Sequence, residues 1–514
     1  MQIPSNKFRS QWKLIALVSL LVVLPFACKP GDVATVTILH TTDLHAHIGP
    51  WMRDDKSGDF LRLASRLRKE REQLGKEQTL LIDTGDTIQG HLAGLTSQGL
   101  APVLALEELD YDFWVLGNHE MDFGTKRLLE LLKINKTPIL CGNFHLHDHP
   151  PFSPWTMVTR NKVRIAVIGM MTPYMRHWFT GKDYEEFEIE SSIAAIERVM
   201  PDILAAQPDA IVLATHQGLT FNEVRGVNEV REIAYRFPQI DLILGGHTHR
   251  RFVGKRIGNA WYVQPDEHAA EYARIEISVD LQTRKIMDIR SSAVRMQPDD
   301  PIDKLLAGRL ASFLKITEQA ATEQIAICQE SVSTRGTPGE NCDMSELICR
   351  ALSWKMGGAV VLHGTLSGES WKQGQIITGE ALFRAVPYEN RVCRLWLTYD
   401  QLTEVINEQF AHRSSYTYNG IFNAQVNANA NWQVESMRVE EPVKLELDRI
   451  PVIITSYAAA GGGGRFPVLR AMCQDEDNRF ERLPILTREV LKDYLKTGHA
   501  WQPTKCWVIH RPTP

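Results

Sequence analysis

Short apolar runs alternate with amphipathic stretches through the first half of the chain. The runs at residues 35–39, 79–82, 113–116, 138–140, 164–168, 210–214 and 242–244 are apolar almost throughout. Such runs predict strands buried on both faces. Residues 60–74 and 191–206 repeat apolar positions at helical spacing, so helices should cover the sheet. Residues 260–264 and 273–279 alternate with period two and should extend it. The expectation is a layered α/β domain.

The polar stretch Gln297-Pro298-Asp299-Asp300-Pro301 breaks this pattern. Residues 302–317 then read as a helix. We expect a first domain over residues 33–297, a linker helix over 298–320 and a second domain over 321–514. The second domain should be mixed α/β, with a helix at 343–355 and strands at 359–362, 394–397 and 452–455. Gly461–Gly464 is its low-complexity segment and reads as a flexible bend, since no Lys-Ser/Thr of a phosphate loop follows.

Residues 1–32 stand apart. Lys7, Arg9 and Lys13 precede an apolar run over 14–24, and Pro25-Phe26-Ala27-Cys28 follows. This is the layout of a secretory signal peptide with a tether. The run is too short for a bilayer core, which needs about 20 residues. It resembles a bacterial lipoprotein signal with a lipid anchor at Cys28, although Pro25 stands where that pattern prefers leucine. Simple secretion and an uncleaved anchor are the alternatives. Either form of export places the protein in the periplasm or at the cell surface.

Composition adds constraints. The 514 residues are too many for one core. A net charge of −5 supplies no basic field for nucleic acid or an anionic membrane. Seven cysteines besides Cys28 leave at least one thiol unpaired within the chain. Buried thiols, with one or two bridges in the second half, are expected.

The chemistry sits directly after the apolar runs. In an open α/β sheet, ligands gather at the carboxyl ends of strands. Asp43-Leu44-His45 can aim a carboxylate and an imidazole at one ion. Gly85-Asp86 puts a carboxylate at the tip of a tight turn. Gly117-Asn118-His119-Glu120-Met121-Asp122 gathers an amide, an imidazole and two acids. His216 follows another buried run. Gly245-Gly246-His247-Thr248-His249 offers two imidazoles that can reach two ions. Each motif alone also has an ordinary reading as a turn, a cap or a core histidine.

Their joint order is specific. The sequence resembles the calcineurin-like metallophosphoesterases, and within them the exported 5′-nucleotidase family. The resemblance runs from about Val33 to the end. It implies an αββα sandwich followed by a substrate-specificity domain. It further implies that Asp43, His45, Asp86 and His249 hold one divalent ion. Asp86 would bridge to a second, completed by Asn118, His216 and His247. Carboxylate, amide and imidazole donors suit Zn, Mn, Fe or Co. A hydroxide bridging the ions would attack phosphorus, His119 would contact the phosphate, and Asp122 would orient His119.

The second domain matches the family loosely. The family's arginine falls on Gly368, while Pro387-Tyr388-Glu389-Asn390 keeps the Pro-Phe/Tyr-x-Asn form. The resemblance makes Phe466 one half of a base clamp and Tyr416 a candidate for the other. Arg465 is a candidate replacement for the missing arginine, and Asn118 also belongs to the substrate site. The leading expectation is a 5′-nucleotidase acting on a small phosphate ester, with a nucleotide as substrate. One alternative keeps the metals and changes the substrate to a 2′,3′-cyclic nucleotide, a UDP-sugar or a sulfur-linked ester. The other is a non-catalytic surface binding protein.

Overall fold

The computed structural model describes residues 33–51, 58–178, 186–220, 227–338, 340–415 and 418–499. The signal segment with Cys28, the clamp candidate Tyr416, and Cys506 lie outside the described residues. No helix among the described residues is long and apolar enough to cross a membrane.

Two sheets build the first half. One has five strands in the order Lys285–Arg295, Glu271–Asp280, Val33–Thr41, Thr79–Asp83, Phe113–Trp114. The other has six, in the order Phe252–Ile257, Ala260–Gln264, Leu242–Leu244, Ala210–Thr215, Val163–Met170, Trp155–Arg160. Successive side chains point to opposite faces of a strand, which sorts them into layers. Val36, Ile38, Leu80 and Ile82 meet Ile165, Val167, Val212 and Leu242 between the sheets. Leu39, Leu81 and Trp114 point the other way and pack with Phe60, Leu63 and Leu67 of the helix Phe60–Leu74. On the far side, Ile168, Ile211 and Leu213 pack with Ile196, Val199 and Ile203 of the helix Ser192–Ala205. The result is the αββα sandwich, and burial of both sheet faces explains the apolar runs.

Parallel pairing decides where the loops go. Val33–Thr41, Thr79–Asp83 and Phe113–Trp114 run parallel. So do Val163–Met170, Ala210–Thr215 and Leu242–Leu244. Each set therefore delivers its carboxyl-terminal loops to one edge.

The helix Phe60–Leu74 is pinned at its start. Asp59 accepts hydrogen bonds from Leu61 N at 3.0 Å and Gly49 N at 3.1 Å, so it caps the helix and ties down the first loop. Replacing Asp59 by alanine should cost about 1–2 kcal/mol of stability. Denaturant midpoints of the two full-length proteins would measure this. A difference below about 0.5 kcal/mol would mean that water satisfies those donors.

Some expected elements differ. Residues 138–140 form only single-residue bridges, Ile139 with Trp114 and Leu140 with Ser153, because Pro138 has no N–H to extend a ladder. The expected helix at 302–317 is two helices, Lys304–Arg309 and Ala311–Thr322, meeting at Leu310. Gly308 weakens the last turn of the first. The strands Trp155–Arg160, Phe252–Ile257 and Lys285–Arg295 are additions to the sequence reading. All lie at sheet edges, and none is uniformly buried.

In the second half, a five-stranded sheet runs in the order Gly420–Phe422, Val360–His363, Ile450–Thr455, Arg391–Leu397, Glu481–Leu486. Val361 and Ile453 face the helices Asp343–Met356 and Thr487–Lys496. Leu362, Leu395 and Ile454 face Tyr399–Ala411 and Pro467–Gln474. This is the mixed α/β arrangement expected. Cys141 in the first half and Cys328, Cys342, Cys349, Cys393 and Cys473 in the second are all free and buried. The expected bridges are therefore absent among the described residues, and the thiols serve as small core side chains. The two halves touch near the site loops: Gln89 Nε2 donates to Pro387 O at 3.1 Å.

Candidate metal centre

The site loops begin where the strands stop. The strand Val33–Thr41 ends, and Asp43, His45 and Ala46 take left-handed φ angles of 49°, 47° and 54°. Asp86, His247 and His249 do the same, at 54°, 71° and 49°. Five of the seven predicted ligands therefore sit in a conformation that costs an L residue on the order of 1–3 kcal/mol. Gly85, at φ 93°, makes the neighbouring turn; a Cβ there would lie 2.4 Å from Gly117 N.

Hydrogen bonds between loops hold these conformations. Asp43 N donates to Gly85 O at 2.9 Å and His45 N to Asp86 O at 2.8 Å. His247 N donates to the Asp43 carboxylate at 3.0 Å, and His119 N to Asp86 Oδ1 at 2.8 Å. Glu120, fully buried, accepts from the backbone N–H groups of Asp86, Thr87, Ile88 and Gly117 at 2.5–3.3 Å. Glu120 thus has a structural role that its place in Gly117-Asn118-His119-Glu120 alone does not specify.

The candidate ligands converge. Asp43, His45 and Asp86 bring donor atoms within 4.8 Å of one another, and Asp86, His216 and His247 form a second such group. Asp86 belongs to both. His249 Nε2 lies 3.3 Å from Asp43 Oδ1 and 3.0 Å from His45 Nε2. Asn118 precedes the short helix His119–Met121.

The surroundings orient the imidazoles. His45 Nδ1 is 2.8 Å from Gln89 O, and His216 Nδ1 is 2.7 Å from Thr84 O. A carbonyl only accepts, so each Nδ1 carries hydrogen and each Nε2 is turned to the centre. His216 Nε2 lies 3.0 Å from Asp86 Oδ2, off the line of a hydrogen bond. Asn118 Oδ1 is also buried without a hydrogen-bond partner. Buried polar atoms normally have one, so these donors fit a cation.

The electrostatics agree. Burial works against charge on His216, but Asp86 and Asp43 outweigh it and raise its pKa to about 9. A field that holds a proton there will also hold a metal ion, which competes for the same nitrogen. Burial and the neighbouring His216 lower His247 to about 3, leaving it a neutral donor.

His119 is built differently. Its Nδ1 meets Asp122 Oδ2 at 2.7 Å, and its Nε2 stays 3.9 Å from Asp86 Oδ2. Burial opposes its charge, yet Asp122 and Asp86 raise its pKa to about 10. The pair therefore stands beside the ligand groups as an imidazole with a fixed orientation and a proton available.

The second half brings other side chains near. The Tyr388 ring lies 6.5 Å from that of His119. Within the first half, the Trp178 ring lies 5.4 Å from that of His247. Trp178 contacts Tyr174, and Tyr174 meets the glycine loop: a Cβ at Gly464 would lie 2.2 Å from its hydroxyl. The charges of Arg470 and Arg465 act on that hydroxyl. Arg465 donates to Gly462 O at 3.2 Å. Phe466 is not where a base clamp requires it. It has no exposed surface, and it packs under Gly462 and against the His412 ring inside the second-half core. The register of the glycine segment suggests a clamp, but an apolar ring beside Leu469 is worth more buried. Three further histidines without an expected role gather here: His47, which closes the Asp43-Leu44-His45-Ala46-His47 segment, and His91 and His268, which carry no motif; His268 and His45 adjoin, and His47 and His91 pack behind them.

Comparison with known proteins accords with this geometry. A calcineurin-like phosphoesterase model matches residues 36–251, and a 5′-nucleotidase C-terminal domain model matches residues 318–471. A 2′,3′-cyclic-nucleotide 2′-phosphodiesterase/3′-nucleotidase from Haemophilus influenzae is 25% identical over 248 residues, 43% of this chain and 37% of that protein. A 5′-nucleotidase from Rattus norvegicus is 25% identical over 264 residues, 48% of this chain and 42% of that protein. The chain thus spans well under half the length of either relative. The crystal structure of a 5′-nucleotidase precursor from Thermus thermophilus shares the fold, with a TM-score of 0.68 and 20% identity over 92% of this chain and 99% of that one. The chain belongs to the calcineurin-like phosphoesterases, with a 5′-nucleotidase C-terminal domain following the phosphoesterase domain.

Proposed function

We propose that this chain is an exported two-metal phosphohydrolase that releases phosphate from nucleoside 5′-phosphates. The observation that carries the reading is the pair of ligand groups sharing Asp86, with His119 and Asp122 at their edge. Bound there, two divalent ions would supply Lewis acidity and lower the pKa of water far enough to furnish a hydroxide nucleophile at neutral pH. Asp43, His45, Asp86 and His249 hold one ion; Asp86, Asn118, His216 and His247 hold the other. His119 contacts the phosphate and protonates the leaving oxygen, and Asp122 fixes the ring so that Nε2 meets the substrate. Residues 33–297 carry the chemistry, 298–320 connect, and 321–514 select the substrate, with Arg465 near Tyr174 as the candidate phosphate contact. Export rests on the basic, apolar and small-residue pattern over residues 7–28, with Cys28 as the lipid anchor.

A second reading has a 2′,3′-cyclic nucleotide as the substrate. It is favoured by the name of the Haemophilus influenzae relative and by Gly368, where the family has arginine. The full-length protein should carry two divalent ions by elemental analysis. With Mn or Zn added, it should release phosphate from AMP at least about tenfold faster than it turns over 2′,3′-cyclic AMP or UDP-glucose, a difference of about 1.4 kcal/mol in transition-state binding. A preference for the cyclic nucleotide would select the second reading. A protein that binds no metal, or that hydrolyses none of the three, would remove both.

A further inference from the structure

We propose that His268 is a further ligand of the ion held by Asp43, His45, Asp86 and His249. The proposal rests on the two-metal reading above and adds an imidazole that no motif marks. The nitrogen donors of His45, His249 and His268 lie within 4.8 Å of one another. The His268 ring is 5.4 Å from that of His45 and 5.7 Å from that of His249, at interplanar angles of 70° and 81°. Rings that share an ion converge by their edges, and steep mutual angles let three nitrogens approach one point.

The backbone is fixed for this purpose. His268 N donates to Asp43 O at 2.8 Å, so the residue is bolted to the first ligand loop. Its carbonyl accepts from Gly58 N at 3.0 Å. His268 and Ala269 both adopt left-handed φ angles, 60° and 55°, the conformation shared by five of the other ligands. Non-glycine residues rarely hold it without a compensating interaction.

The ring is supported from behind. His47 stacks on it at 4.2 Å and 14° between planes, and His91 lies 4.8 Å beyond His47. His47 is buried and has no hydrogen-bond partner at Nδ1. It acts as a wall that limits rotation of His268. His45 belongs both to the group with His249 and His268 and to the group with Asp43 and Asp86, so with His268 the site would offer the first ion three imidazoles and two carboxylates. That donor set moves preference away from Mg and toward Zn, Co or Fe.

The test is metal binding rather than turnover. Glycine adopts left-handed φ freely, so His268→Gly removes the ring without straining the loop; His268→Gln keeps a side chain of similar reach. In full-length protein, one of the two ions should bind roughly 10–100-fold more weakly in both variants. Competition against a chelator would measure this, and the visible spectrum of the cobalt-loaded protein should change with the lost nitrogen. The other ion should bind as before. Wild-type affinity for both ions with an unchanged cobalt spectrum, in either variant, would overturn the proposal, even if KM rises. Failure of the wild-type protein to bind two ions would instead overturn the reading beneath it.

Discussion

The His119→Ala variant should keep both metal ions and lose turnover by roughly 10²–10⁴-fold. The two halves of this expectation come from different observations. Nδ1 of His119 is engaged by Asp122, and Nε2 stands 3.9 Å from Asp86 Oδ2, outside both candidate ligand groups. Removing the ring therefore subtracts a proton donor and phosphate contact from the transition state and nothing from the ions. The backbone N–H of residue 119, which donates to Asp86 Oδ1, survives the substitution. Steady-state rates on AMP, paired with elemental analysis of the same sample, check both halves. Loss of an ion would make His119 a ligand. Retained turnover would leave the leaving oxygen to be protonated by water.

Asp86→Asn should act on both ions at once. Asp86 belongs to both ligand groups and is the charge that most raises the pKa of His216. An asparagine of the same shape keeps an oxygen for His119 N but removes the charge. Both affinities should fall by at least about 100-fold, the upper end of what loss of a supporting group costs. Asp43→Asn, which changes only one group, should weaken one ion and spare the other. Titration of each variant with Mn or Zn separates these outcomes. If Asp86→Asn weakens a single ion, Asp86 does not bridge.

The candidate metal ligands are legible because each sits in a short motif at the end of an apolar run. Strand burial and ligand position are then written in adjacent residues, as in Leu244-Gly245-Gly246-His247. His268 is not legible in this way. Its approach to His45 depends on how the loop before the strand Glu271–Asp280 packs on the loop after Val33–Thr41, and the antiparallel register between those strands is a long-range fact. Edge strands are hidden for another reason. Trp155–Arg160 is only partly buried along its length, so its residues lack a clear apolar face. Residues 138–140 err in the opposite sense: they are apolar enough for a strand, but a proline limits them to two bridges. In the second half, Phe466 shows the limit of carrying a role by register. The segment aligns with the family, yet the ring is enclosed by its own core.

The left-handed backbone at Asp43, His45, Asp86, His247 and His249 has a consequence for the stability of the chain. Glycine would relieve the local cost at each of them, although at Asp43 and Asp86 it would also remove the carboxylates that accept from His247 N and His119 N. At the three histidines, His45, His247 and His249, such a replacement would ease the backbone strain. The chain instead carries a carboxylate or an imidazole at all five. The three imidazoles are thus carried at a backbone cost that folding alone does not call for.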